Sequence, residues 1–177
     1  MYRKRVILIS DKPGVNKKII YSPISGEVKK VSTNKNHPVF GEDLIELQLC
    51  LPWWKEMGLY LPIAGYVKDV TVGVKNFSFL RLNTWPNIDQ KEGFKGSLAI
   101  ILESDDGDSF GLQLVKCPLG MAGRTWVMPG DRGRVAANFG YIPFGGTVLL
   151  YLPKFYEILV LEGDKLIAGE SLIAGRS

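Results

Sequence analysis

The sequence predicts an all-β fold, a barrel or sandwich with few or no helices, and three observations carry that prediction. No window of a dozen residues holds apolar side chains at i, i+3, i+4 and i+7, so helical periodicity is missing. Twenty glycines and ten prolines interrupt the 177-residue chain. Between them lie roughly a dozen short apolar or β-branched runs at the spacing of strands joined by tight turns.

The runs follow in order. Val6–Ile9 opens the series behind the basic start Met-Tyr-Arg-Lys-Arg; its apolar core of four residues is too short for a signal peptide, which needs about 7 to 15. A strand and a cytoplasmic location are therefore expected. Lys18–Ser22, Glu27–Val31, Leu44–Leu49 and Tyr66–Val72 come next, then Phe77–Arg81, Leu98–Glu103, Leu112–Lys116 and Arg124–Met128. Thr147–Leu152, Glu157–Leu161 and Ser171–Ala174 complete the set. A single helical turn fits Pro52–Gly58, bracketed by Pro and Gly. The polar, aperiodic stretch Asn83–Gly96 reads as a long loop or lid. One domain over residues 1–177 is the simplest organisation, long enough to bury a core.

Composition narrows the function classes. No apolar run approaches the roughly 18 to 20 residues of a membrane helix. The net charge is +4, but the Lys and Arg are scattered and form no dense stripe or known nucleic-acid motif, so nucleic acid is not expected as a partner. Peripheral contact with an anionic membrane surface and a homo-oligomer both stay open. The two cysteines, Cys50 and Cys117, have no zinc-ligand spacing and cannot make a disulfide framework; both end apolar runs beside a proline and read as buried thiols. No metal site is expected. The single histidine, His37, precedes Pro38 in an expected surface turn.

A weak internal repeat is visible. Gly26-Glu-Val-Lys-Lys-Val precedes Phe40-Gly-Glu-Asp-Leu-Ile-Glu-Leu, Gly65-Tyr-Val-Lys-Asp-Val precedes Phe77-Ser-Phe-Leu, and residues 158–174 share the rhythm. Such a unit describes one arm of a barrel-sandwich hybrid. Biotinyl and lipoyl carriers are built this way, but no turn here has their modified Lys with its flanking Met or Asp.

Three segments together resemble the phosphatidylserine decarboxylase family. Tyr21-Ser-Pro-Ile-Ser-Gly-Glu-Val is similar to its Ser-Pro-Ala-Asp-Gly opening. Leu61-Pro-Ile-Ala-Gly-Tyr-Val-Lys-Asp-Val is similar to its Pro-x-x-Gly-x-Val, which follows a histidine-bearing stretch. Most specific is Pro129–Pro153, ending Phe-Gly-Gly-Thr-Val-Leu-Leu-Tyr-Leu-Pro, with its Gly-Asp-Lys-Leu-Ile-Ala-Gly-Glu tail. The resemblance covers residues 21 to 175 in order. It implies a self-cleaving chain in which a serine hydroxyl attacks the preceding carbonyl, the ester eliminates, and an N-terminal pyruvoyl group remains. That ketone would form a Schiff base with the substrate amine and accept electrons as CO2 leaves.

Each residue this chemistry needs is altered here. The serine position is Gly146, the Asp position is Ser25, and the histidine position falls on Tyr60, or on Met57 in another register. Thr147 retains a hydroxyl one residue on, but the usual strand reading of a β-branched residue is simpler. No pyruvoyl cofactor is therefore expected.

Three functions remain. The first is a binding module holding a lipid-like or other hydrophobic small molecule in a pocket of Trp53, Trp54, Met57, Tyr60, Trp126, Phe144, Gly145, Gly146 and Thr147. The second is a repurposed cofactor-free enzyme that holds a flexible apolar substrate for cyclisation or isomerisation, as in natural-product biosynthesis. Tyr60, Thr147 or Ser25 would polarise a carbonyl there, with Glu56 and Asp69 the nearest acids. The third is residual decarboxylation with an external carbonyl, for which no Gly-rich phosphate loop opening a helix is present. Whether the chain is an enzyme stays open.

Overall fold

The computed structural model describes residues 18–72, 98–115 and 123–176. These residues form strands and turns and no helix, as the sequence predicts. The expected runs Val6–Ile9 and Phe77–Arg81, the loop Asn83–Gly96 and Cys117 lie outside them.

The strands are β1 Lys18–Tyr21, β2 Gly26–His37, β3 Gly41–Leu51, β4 Gly58–Tyr60, β5 Gly65–Val72, β6 Leu98–Ser104 and β7 Ser109–Val115. They continue with β8 Arg124–Thr125, β9 Arg132–Gly133, β10 Asn138–Tyr141, β11 Gly146–Pro153, β12 Glu157–Ile158, β13 Lys165–Leu166 and β14 Leu172–Arg176. An antiparallel sheet runs β13-β2-β3-β11-β7-β6-β5-β9, and two small sheets run β1-β14-β12 and β4-β10-β8. The expected helical turn at Pro52–Gly58 is instead a tight turn closed by Lys55 N donating to Pro52 O at 3.1 Å. The Pro52 and Gly58 brackets that suggested a helix serve here to join β3 to β4.

Strand β11 lies between β3 and β7 and is buried from Gly146 to Leu152. A strand covered on both faces needs an unbroken apolar run, which Val148-Leu-Leu-Tyr-Leu supplies. Around it pack Leu47, Leu49, Leu112, Leu114, Ile100 and Phe110. Strand β2 is buried only at its start and is largely exposed beyond Val28, matching its change from apolar to charged residues.

A pseudo-twofold relation organises the chain. Tyr21-Ser-Pro-Ile-Ser-Gly-Glu-Val28 and Tyr60-Leu-Pro-Ile-Ala-Gly-Tyr-Val67 are bonded reciprocally, Tyr21 N to Pro62 O and Tyr60 N to Pro23 O, each at 2.9 Å. Each segment is paired to a Gly-Asp turn. Val28 N donates to Asp164 O at 3.0 Å and Val67 N to Asp131 O at 2.8 Å; Gly163 N and Gly130 N return bonds to Val28 O and Val67 O, each at 2.8 Å. The carboxylates of Asp164 and Asp131 cap Leu161 N and Met128 N, each at 2.8 Å. The sequence suggested residues 158–174 as a further arm like the one at Gly26. Its Gly163-Asp-Lys-Leu is instead the counterpart of Gly130-Asp-Arg-Gly, because Lys165 and Leu166 pair with Glu27 and Gly26 just as Arg132 and Gly133 pair with Tyr66 and Gly65.

An ionic clamp ties the β1-β14-β12 sheet to the β6–β7 turn. Asp108 accepts from Lys18 at 2.7 Å, Tyr156 at 2.9 Å and Arg176 at 3.2 Å. Burial pushes the Asp108 carboxyl up, but these donors and charges outweigh it and hold it below its ordinary value.

His37 is not a solvated turn residue. It ends β2 half-buried, stacked on Phe40 at 4.3 Å and tilted on Tyr151 at 4.9 Å. Its Nδ1 accepts from Val39 N at 3.2 Å and Phe40 N at 3.3 Å, leaving Nε2 to donate to Gln113 Oε1 at 3.1 Å. Burial lowers its pKa, partly offset by the Gln113 bond and the Glu46 charge. The folded form thus favours the neutral ring, and unfolded His37 takes up its proton first as pH falls through about 6.5. The contribution to stability is complete above that pH and is lost as pH falls towards the lower folded pKa. Urea midpoints should therefore fall between pH 7.5 and 5.5, with the slope reduced in His37→Gln; an equal slope in both proteins would contradict this account.

Candidate functional site

Two of the three resembling segments, those holding Ser25 and Gly146, meet at one end of the β2-β3-β11 ladder. Gly26, next to Ser25, lies against β3, where an added Cβ would be 1.9 Å from Cys50 O. Leu51 pairs in turn with Gly146. With strands about 4.8 Å apart, the Gly26 and Gly146 backbones, on either side of β3, are separated by about 10 Å. Tyr60 reaches the same end through its backbone bond to Pro23 O.

Gly146 is the first residue of β11, buried, and outside the left-handed conformation. The sharp turn lies one residue earlier than the glycine pair suggests. Phe144 and Gly145 carry it, with φ of 58° and 75°, both in the left-handed region. Gly145 needs its missing side chain, since a Cβ would fall 2.4 Å from Leu51 O and 2.8 Å from Trp53 N. Phe144 adopts an angle that costs a non-glycine residue about 1–2 kcal/mol.

Thr147 is buried and pairs with Cys50 on one side and Val115 on the other, so the Gly146–Thr147 bond lies within the ladder. Ser25 is also buried, and its Oγ accepts from Ala168 N at 3.0 Å. Cys50 is a buried free thiol, pushed up to about 11 by burial.

Tyr60 stands opposite Asn138 across the β4–β10 pair. Its hydroxyl donates to the exposed Glu56 carboxylate, and that bond raises the phenol pKa, opposed by a bond from Asn138. Gly58 leaves room for this cluster: a Cβ there would lie 2.7 Å from the Tyr60 ring and 2.8 Å from Asn138 Nδ2. Asn138 carries no signal in the sequence; only the β10 pairing brings it to Tyr60. Asp69 is exposed on β5 and accepts from Thr71 Oγ1 at 3.1 Å.

The aromatic residues expected to wall a pocket lie largely in the open. Trp53 and Trp54 are 66% and 68% exposed, packed edge to face at 5.6 Å, and Trp126 and Phe144 are 58% and 46% exposed. Trp53 and Phe144 are brought to one rim because the Gly145 backbone packs against Trp53 N. Met57 is half-buried, its carbonyl accepting from Ile142 N at 2.8 Å. Two adjacent Trp on one tight turn cannot both enter the core, and here neither does. Among the described residues no group of His, Cys, Asp and Glu could hold a metal ion.

Three known proteins, each named phosphatidylserine decarboxylase proenzyme, are similar to most of this chain. The protein of Wolbachia pipientis is 27% identical over 90% of this chain and 68% of its own length. That of Syntrophus aciditrophicus is 23% identical over 87% and 70%, and that of Bacteroides fragilis 23% over 89% and 66%. The chain thus spans about two thirds of the length of these relatives. Residues 63–174 match the phosphatidylserine decarboxylase family, well over half of the chain, and they include the turn and strand on which the motifs converge. This chain belongs to the phosphatidylserine decarboxylase family.

Proposed function

We propose that this family member has lost pyruvoyl formation and binds a lipid-like or other hydrophobic small molecule beside the Phe144-Gly145-Gly146 turn. The observation that carries the reading is Gly146 at the serine position: it has no side-chain oxygen to attack the preceding carbonyl. The neighbouring hydroxyl does not replace it, since Thr147 is fixed between two strands. Ser25 is engaged with Ala168 N and Tyr60 with Glu56, so neither stands as the Asp or His of the family pattern. The residues present do not fit a pyruvoyl group. The exposed Trp53, Trp54 and Phe144 rim supplies apolar contact for an acyl chain or similar body.

A thermal-shift series with fatty acids, diacylglycerols and phospholipids tests this directly. A ligand at about one hundred times its Kd stabilises the folded state by about 2.7 kcal/mol, which raises Tm by roughly 5–10 °C for a chain of this size. Trp53→Ala should reduce that rise with little effect on the unliganded Tm. A flat response to every apolar ligand would remove this reading.

A second reading, a cofactor-free cyclase or isomerase, is favoured by the Tyr60–Glu56 pair. A phenol whose proton is held by a carboxylate offers its oxygen as an acceptor, with the carboxylate as the base behind it, for proton removal from an apolar substrate. Turnover of a polyene or polyketide substrate, abolished in Tyr60→Phe, would move the weight there.

A further inference from the structure

An open cleft of about 430 Å³ is lined by Ala64, Asp105, Arg132, Gly133 and Arg134. It occupies the pseudo-twofold counterpart of the Ser25 position. Ala64 stands where Ser25 stands in the other half, and Arg132 and Arg134 stand where Lys165 and Ile167 stand. The fold therefore builds this location twice, flanking the axis marked by the reciprocal Tyr21–Pro62 and Tyr60–Pro23 bonds. The Ser25 copy lies on the strand ladder that reaches Gly146, and the second, built from the segments around Ala64 and Arg132–Arg134, carries two arginines.

We infer that this second cleft binds a phosphate-bearing anion, with Arg134 as the principal contact and Arg132 as its oriented neighbour. Arg132 and Arg134 are two residues apart on an extended segment and both line the cleft, while Gly133 between them faces Leu61. A Cβ on Gly133 would fall 2.0 Å from Leu61 Cδ1, so glycine leaves room for the Leu61 side chain of the β4–β5 connection. Asp105 accepts from Arg132 Nη2 at 2.9 Å, which fixes that guanidinium and leaves most of its five N–H donors for a ligand. Arg134 is exposed and has no ion pair among the described residues. Two guanidiniums against one carboxylate leave the cleft net positive. Planar forked donors match the oxygens of a phosphate group better than a point charge does, and the volume admits a phosphate with a glycerol-sized body. The Ala64 wall offers no competing charge.

The phosphate could belong to a soluble ester or to a lipid headgroup, and calorimetric titration of the whole chain at fixed ionic strength separates the two. The probes are glycerol phosphate, monomeric dihexanoylphosphatidic acid, and dihexanoylglycerol, which has the same acyl chains without phosphate. Saturable binding of both phosphate compounds, weakened about tenfold or more by Arg134→Gln and less by Arg134→Lys, which keeps the charge but not the fork, supports the cleft and a soluble source. Binding of phosphatidic acid alone with the same Arg134 dependence supports it with a lipid source. Absence of binding by either phosphate compound, or equal affinities in the wild type and Arg134→Gln, overturns it. Dihexanoylglycerol reports on the apolar-ligand reading instead, and its binding should be indifferent to Arg134, so either idea can fail while the other stands.

Discussion

Gly26→Ala and Gly65→Ala should each destabilise the protein by about 3 kcal/mol, the upper end of what overpacking costs. These glycines occupy equivalent places in the two halves, each following Pro-Ile-Ser or Pro-Ile-Ala. In both, an added Cβ would strike a backbone carbonyl of the neighbouring strand, at 1.9 Å from Cys50 O and 2.2 Å from Glu103 O. A flexible side chain could swing away, whereas a carbonyl fixed in a sheet cannot move without breaking its ladder. Gly175→Ala is the reference: its Cβ would meet only ordinary contacts at 3.7 Å, and its backbone is not left-handed. Urea unfolding of the three variants side by side decides the matter, and equal midpoints for Gly26→Ala and Gly175→Ala would show that the close approach is not a constraint. The same experiment tests the pseudo-twofold relation, since the two halves should respond alike.

The second expected result concerns covalent integrity. The purified chain should have an intact mass of 19.7 kDa, and Gly146→Ser should remain uncut as well. Serine is compatible with the local backbone, because Gly146 is a strand residue outside the left-handed region. A hydroxyl there would still lack an activating partner. Ser25, which the resemblance sets at the Asp position, is neutral and its oxygen already accepts from Ala168 N, and Tyr60, set at the His position, is a phenol bonded to Glu56. General-base activation typically contributes about 10² to 10⁴ in rate, so its absence should leave no detectable splitting over the life of a preparation. Two fragments in the Gly146→Ser protein, parting near residue 146, would show that activation comes from elsewhere. Two fragments in the unaltered protein would remove the proposal that pyruvoyl formation is lost.

Much of the fold was legible because strand burial writes itself into residue order. The continuous apolar run Val148–Leu152 announces a strand covered on both faces, and it is the buried β11. The glycine pair before it marked a turn, displaced by one residue because Phe144 accepts a left-handed angle that its side chain disfavours. Short strands were not legible. Asn138–Tyr141 contains a glycine and only two aromatics, and becomes β10 because β4 and β8 pair on either side. Arg124–Met128 looked like a full strand, but only Arg124–Thr125 finds a ladder. Propensity is a weak prior where pairing is decided by distant partners.

At the candidate site the sequence by itself determined chemical identity: Gly146 carries no hydroxyl, Ser25 no carboxylate and Tyr60 no imidazole. It also determined the all-β class, through the absence of helical period and the spacing of glycine and proline. The tertiary structure decided everything that depends on direction and proximity. It turned Trp53 and Trp54 outward, fixed Thr147 between two strands, joined Tyr60 to Glu56 and Asn138, and made His37 a half-buried clamp. It also placed Arg132 and Arg134 in the counterpart of the Ser25 position. The physical reason is that composition and period fix which groups a strand carries, while register between strands far apart in sequence fixes which of those groups meet.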